Sequence, residues 1–318
     1  MDLSVILCTI RKNPRFEDSI PSFNIALRTL QEKYLNASVE LIIIDGYLWT
    51  QKRELPIKPN CEYMHIEPKP CKWQGHDRLT NNDYSGLCSA RNTGWILAAG
   101  NHTVFFDDCS ILDPNFLRRH YEASKRKLVM CGTFSSWSGA KIEDGKIIDF
   151  GLPYSSGPAD GRNPDGDPAV RTCSGTWLWG MNFSVPLQYT LMVNGNDEMY
   201  DGQLGSEDCD FGVRIERTGA PIVYDPSCKI YQLLDTHGDP VPLPEGKKQK
   251  ELELITGRVA YANEKLIENL LMQPKRVHPQ GNHFLLHTAR NNWAAYHKLP
   301  DIHPVIKDWR DGQPLKEM

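Results

Sequence analysis

The stretch GLCSARNTGWILAAGNHTVFFDDCSILDP, Gly86–Pro114, decides the fold. Ala90, Gly94, Ile96, Leu97 and Ala98 give one small, apolar helix face. Gly100 and Asn101 both tolerate positive φ and end that helix. Thr103–Phe106 is a short β-rich run that reads as a buried strand. Asp107 and Asp108 then stand just past its C-terminal end, where open α/β sheets bind ligands. Two adjacent carboxylates repel each other and cost energy to desolvate. A divalent cation, often carrying a phosphate, is the usual compensation.

Upstream, Leu3–Ile10 reads as a buried first strand. Ser19–Tyr34 reads as a helix, with Ile20, Phe23, Leu27 and Leu30 at helical spacing and Pro21 near its start. Glu40–Ile44 is a second buried strand and ends at Asp45-Gly46. Two apolar strands joined by a crossover helix make a βαβ unit, so the class is α/β with a mostly parallel central sheet. Within the irregular segment 51–84, Glu62–Ile66 is a further strand candidate.

Downstream, the pattern predicts a helix over Asn115–Arg126, a strand over Leu128–Cys131 and a hairpin over Ser138–Phe150 turning at Asp144-Gly145. Gly151–Arg171 is rich in Gly, Pro and Asp, and is expected to be a mobile lid or acceptor loop rather than part of a core. Thr176–Phe183, TWLWGMNF, is expected as an aromatic strand. Tyr200–Gly219 predicts a glycine turn and then a helix. Its first turn carries Glu207, Asp208 and Asp210, and Arg214 and Arg217 come later, matching the macrodipole. Strands are expected at Ile222–Tyr224 and Lys229–Leu234. A boundary at Leu243–Gly246 divides a domain of residues 1–244 from a helical C-terminal extension, 245–318, with amphipathic helices over Lys247–Met272 and Asn282–Lys298.

Bulk properties narrow the class. The 318 residues are 40% hydrophobic and 24% charged, as in a soluble globular protein long enough to bury a sizeable core. No apolar run approaches the ~20 residues of a membrane span. Met1–Ile10 lacks the basic region and cleavage site of a signal peptide. Nine scattered cysteines without a C-x-x-C pair point to reduced thiols and a cytoplasmic setting. The net charge of −4 is uneven: residues 1–244 hold 24 Lys/Arg against 31 Asp/Glu, and residues 245–318 hold 12 against 9. That tail therefore allows an anionic partner.

Together these pieces resemble the family-2 glycosyltransferases, nucleotide-sugar enzymes with the GT-A fold, a nucleotide-binding α/β sandwich. The resemblance rests on SVILCTI (Ser4–Ile10), IIIDG (Ile42–Gly46), ARNTGWILAAG (Ala90–Gly100), FFDDCSILDP (Phe105–Pro114), WGMNFS (Trp179–Ser184) and GSEDCDFGVRIERTG (Gly205–Gly219), in the family's order over residues 3–238. By position it implies a donor site of Asp45 at the base, commonly uracil, Arg91 near base and phosphates, and Asp107 at the ribose. It implies Asp108 on a metal, Mn2+ or Mg2+, and His237 near a position that ligates the metal in some relatives. Asn182 falls where the family places donor-sugar or acceptor contacts. Glu207-Asp208 matches the family's acidic pair, with Asp208 the candidate catalytic base. The motif departs from the family's at Cys109, where a third acid is usual, and this makes Asp108 the expected main metal ligand.

The chemistry is coherent. A cation would neutralise the leaving diphosphate, while a carboxylate on the opposite face takes the proton of the acceptor hydroxyl. One base with a metal-assisted leaving group gives single displacement and inversion. Asp208 suits the role because a helix N-terminus favours negative charge, but sequence alone does not separate it from Glu207 and Asp210. Trp179 and Trp177 are candidates to stack on a sugar. His283 and His287 share a helix face but lack an acidic third ligand. The expected partners are a UDP-sugar or other nucleotide-sugar donor and a glycan or other hydroxyl acceptor. One alternative is the same transfer onto nucleic acid bearing a hydroxymethylated base, because Lys247, Lys248, Lys250, Lys275, Arg276 and Arg290 interleave with Trp293 and Tyr296. The others are a nucleotidyltransferase, for which the loop after the first strand lacks glycine, and a nucleotide-sugar-binding protein.

Overall fold

Leu3–Thr9 has no polar face and forms β1, a strand buried on both sides. The computed structural model describes residues 1–9, 11, 13–49, 52–68, 87–144, 146–153, 160–196 and 207–233. The expected extension 245–318, its boundary and His237 lie outside these residues. Helix α1 (Phe16–Lys33) begins three residues before the predicted Ser19, because Phe16 is itself a core residue. Pro21 therefore falls inside the helix. Strand β2 (Val39–Asp45) returns parallel to β1, with Ile42 opposite Ile6. After a short 3-10 turn at Gly46–Trp49, β3 (Glu62–Ile66) adds parallel to β2, as expected.

The decisive stretch forms α2 (Leu87–Leu97) and β4 (His102–Asp107). β4 lies parallel to β1 on the side away from β2, with Asp107 opposite Cys8. β5 (Ser110–Leu112), α3 (Phe116–Lys125), β6 (Val129–Trp137) and the hairpin of β7 (Ala140–Glu143) and β8 (Lys146–Phe150) follow. Beyond β9 (Arg171–Thr172) come β10 (Asn182–Pro186), α4 (Leu187–Met192), α5 (Glu207–Glu216) and β11 (Ile222–Leu233). The main sheet runs β3-β2-β1-β4-β10-β6-β11-β5, with β9 also pairing on β11. Among its long strands only β10 opposes its neighbours. The chain steps from β1 to β2 and β3 on one side, then crosses to β4 on the other. That places the topological switch, where such sheets bind ligands, at the C-terminal ends of β1 and β4.

The sequence expectation fails at TWLWGMNF. Gly175–Trp177 is a 3-10 turn capped by Ser174, and the strand begins only at Asn182. The reason is a close approach of two backbones. A Cβ on Gly175 would lie 2.1 Å from the Gly212 carbonyl oxygen, and one on Gly212 would lie 1.9 Å from that of Gly175. The segment is thus seated on α5 instead of extended in the sheet. The two strands expected near the end are one strand, β11, interrupted by an irregularity between Asp225 and Lys229.

Two apolar layers sandwich the sheet. Phe16, Phe23 and Leu27 of α1 and Phe116 of α3 cover one face. Trp95 of α2 and Phe211 and Ile215 of α5 cover the other. Trp95 is wholly buried, 4.8 Å from the Phe211 ring and 5.1 Å from Phe105, and its Nε1–H donates to Thr103 Oγ1. It therefore joins α2, β4 and α5, the elements that carry Arg91, Asp107 and the Glu207–Asp208 pair. Trp95→Ala is expected to cost about 3–5 kcal/mol in urea unfolding, as buried large-to-small aromatic changes do; a loss below about 1 kcal/mol would contradict this joint.

Candidate active site

The acidic candidates arrive from separate elements. Asp45 closes β2, Asp107 closes β4, Asp108 starts the turn after it, and Glu207 and Asp208 open α5. Arg91 reaches them from α2. It is buried, and its Nη1 donates to Glu207 Oε1 at 3.0 Å. Asp107 and Asp208 stand close enough to reinforce its positive charge. The turn before β10 leaves room for this guanidinium only because residue 180 is glycine: a Cβ there would lie 1.9 Å from Arg91 Nη2.

α5 separates the three acids that sequence left together. Asp210 is buried and paired with Arg214 Nε at 2.9 Å, and Arg214 also donates to the carbonyls of Val193 and Gly195. Its work is structural. Glu207 is buried on Arg91; burial, then the charge of Asp208, raises its pKa, and Arg91 opposes them. Asp208 is partly exposed. Its Oδ2 accepts the Gly180 N–H at 2.7 Å, and its Oδ1 accepts the N–H of Cys209 at 2.7 Å. It is the acid of this turn that is both oriented and open to solvent.

At the end of β4 the two aspartates are treated differently. Asp108 is buried: Oδ2 accepts from Thr9 Oγ1, and Oδ1 accepts from Arg11 Nε at 3.0 Å. Burial pushes the Asp107 carboxyl up to about 6; Asp108 and Asp208 add to that, while Arg91 and Arg11 pull it down. Cys109, in the place of a third acid, is a buried core thiol. Asp45 has no exposed side-chain surface. It accepts the Tyr47 N–H at 2.9 Å and Arg53 Nη1 at 3.0 Å, and His65 Nε2 lies 3.0 Å from it. The outward group is then Arg53, stacked 4.4 Å above the Tyr47 ring. Arg53, His65 and Arg11 went unidentified in the sequence because they lie in irregular segments or on an edge strand, where no periodicity marks them.

One candidate is displaced. Asn182 does not face the site. It is wholly buried, its amide donates to the carbonyls of Thr133 and Cys228, and its Oδ1 lies 3.2 Å from His120 Nε2. Strand alternation explains this: Phe183 turns toward α5, so Asn182 turns to the α3 side. Trp179 carries the Arg162 guanidinium 4.5 Å over its ring. Arg162 is itself buried against Asp160, and it donates to the carbonyls of Gly132 and Trp177. The loop expected to lack a core is therefore anchored at 160–162. The basic and aromatic tail residues considered for nucleic acid, and His283 and His287, lie outside the described residues.

A divalent cation, which this type of fold implies, would find hard oxygen donors in Asp107 and Asp108. The raised carboxyl of Asp107 fits that group, because a cation relieves the like-charge repulsion and burial that raise it. Among the described residues no cluster of three or more metal-ligating side chains occurs. No helix among them is long and apolar enough to cross a membrane.

No protein-family model and no curated protein matches the sequence. Solved structures do match. S. aureus TarS, residues 1–349, aligns with 99% of this chain and 93% of its own at a TM-score of 0.50 and 12% identity. GalNAc-T7, solved with UDP, GalNAc and Mn2+, aligns with 98% of this chain at a TM-score of 0.50 and 13% identity; the chain spans 54% of it. Both are GT-A glycosyltransferases, and the fold of this chain is the GT-A fold.

The Asp107 carboxyl carries a sign for stability. Its pKa is raised in the folded state, so ionising it costs the fold. That cost is absent below the ordinary carboxylate range, grows from about pH 4 to about 6, and is complete above. In metal-free buffer at pH 7.5, Asp107→Asn is expected to raise the thermal midpoint by about 2–4 °C, the shift that ~1 kcal/mol produces in a chain of this size, with a smaller gain at pH 4.5. An unchanged midpoint at pH 7.5 would contradict the assignment.

Proposed function

We propose that this protein is a glycosyltransferase that moves a sugar from a nucleotide-sugar to an acceptor hydroxyl with inversion. The observation that carries this reading is the convergence of Asp107, Arg91 and the Glu207–Asp208 pair at the switch point of a GT-A sheet. The donor's nucleotide would lie across the ends of β1, β2 and β4, with Asp45 and Arg53 at the base end and Asp107 at the ribose and diphosphate. Asp107 and Asp108 would hold a divalent cation, Mn2+ or Mg2+, which supplies charge neutralisation to the leaving diphosphate. The UDP and Mn2+ bound by GalNAc-T7 support a uridine donor and this choice of ion.

Asp208 is the base in this reading. Its two backbone donors, Gly180 N–H and Cys209 N–H, fix the carboxylate, and its partial exposure leaves it able to meet an acceptor hydroxyl. Arg91 holds Glu207 by an ion pair and so leaves Asp208 as the carboxylate that takes the proton. Trp179, next to the Gly180 whose N–H holds Asp208 and with Arg162 over its ring, and Trp177 in the same turn would be the aromatic groups for the sugar or acceptor.

The test is a screen of UDP-, GDP- and dTDP-sugars with Mn2+ or Mg2+, reading released nucleotide. Turnover with one donor is expected, falling at least ~100-fold in Asp208→Asn, the scale of a lost general base. Retained nucleotide binding would show that the loss is chemical. Activity surviving Asp208→Asn would remove that residue from the role. No turnover or binding of any donor would overturn the reading.

A further inference from the structure

Thr9 and Arg11 meet Asp108 from across the crevice. They belong to the end of β1 and the segment after it, whereas Asp108 follows β4. The main chain of Arg11 is fixed on both sides. Its N–H donates to Thr9 Oγ1 at 3.1 Å, and its carbonyl accepts Arg53 Nη2 at 2.8 Å. With the backbone held, the guanidinium lies on Asp108 with 15% of the side chain exposed. The neighbouring carboxylate differs: among the described residues none hydrogen-bonds to the side chain of Asp107. One half of the acidic pair is thus neutralised by the chain's own cation, and the other half is not.

We infer that Arg11 is a tethered counter-ion that holds Asp108 and transfers to the donor's diphosphate when a divalent cation takes its place on Asp108. The inference rests on the reading of this crevice as a nucleotide-sugar site. Arg11 gives up a charge-assisted hydrogen bond for the exchange, so a cation alone gains little from Asp108. A diphosphate returns that loss, because its oxygens accept the guanidinium fork. Cation and diphosphate then bind with positive coupling, each strengthening the other by the same factor. Arg11 is a positioning and binding residue in this scheme; it carries no proton in the reaction.

Mn2+ binding to the full chain, read from the loss of the free-ion paramagnetic resonance signal without nucleotide, tests this. Arg11→Gln is expected to bind Mn2+ at least about five-fold tighter than the wild type, within the usual range of coupling, while Arg11→Lys keeps the wild-type affinity. In calorimetry with Mn2+ present, inorganic pyrophosphate is expected to bind Arg11→Gln more weakly than the wild type. Opposite shifts for the two ligands are not produced by simple damage to the fold. Mn2+ binding that is unchanged or weakened in Arg11→Gln overturns the inference, as does unweakened pyrophosphate binding. If both shifts appear and the donor screen still fails, the glycosyl-transfer reading falls and the counter-ion exchange stands.

Discussion

The contact between Arg91 and Glu207 is the constraint on which the site depends. It joins α2 to α5 through the interior, 3.0 Å from donor to acceptor, with both groups buried. A buried pair of this kind adds little net stability, but deleting one partner strands the other charge and costs about 3–5 kcal/mol. The requirement spreads outward. Gly180 must lack a side chain to let the guanidinium pass, and its N–H is then delivered to Asp208. Gly175 and Gly212 must both be bare for the preceding turn to sit on α5. The Arg91–Glu207 pair and these two close approaches together set the position of a helix, a turn and the carboxylate between them.

The same economy applies to charge. Three arginines, Arg11, Arg53 and Arg91, each hold one acid of the crevice: Asp108, Asp45 and Glu207. Among the described residues no arginine hydrogen-bonds to Asp107 or Asp208, and these are the two partly exposed acids. In the proposed reading the arginine-paired acids shape the walls, and the other two meet a cation and an acceptor proton. Asp210, closed off by Arg214, belongs to the walls as well.

How much of this was legible in the sequence follows from periodicity. β1, β2 and β4 are largely apolar runs, and β2 and β4 end in acids, so the parallel sheet and the positions of Asp45, Asp107 and Asp108 could be read directly. The acidic first turn of α5 was equally plain. TWLWGMNF misled because aromatic alternation mimics a strand, and the backbone contact of Gly175 with Gly212 is long-range and leaves no local mark. Asn182 misled for a related reason: its register in β10, which decides the face, depends on pairing with Phe106. Arg11, Arg53 and His65 carry no pattern, and only the fold brings them to their acids.

In the proposed reading the Asp107 carboxylate at the end of β4 receives a nucleoside diphosphate together with a divalent cation. Calorimetric titration of UDP and GDP into the full chain with Mn2+, for the wild type and for Asp107→Asn, tests it most directly. Saturable binding of one nucleotide by the wild type is expected, with binding at least ~10-fold weaker in the variant, a difference of about 1.4 kcal/mol. Equal binding by the two proteins, or binding of neither nucleotide, would contradict it.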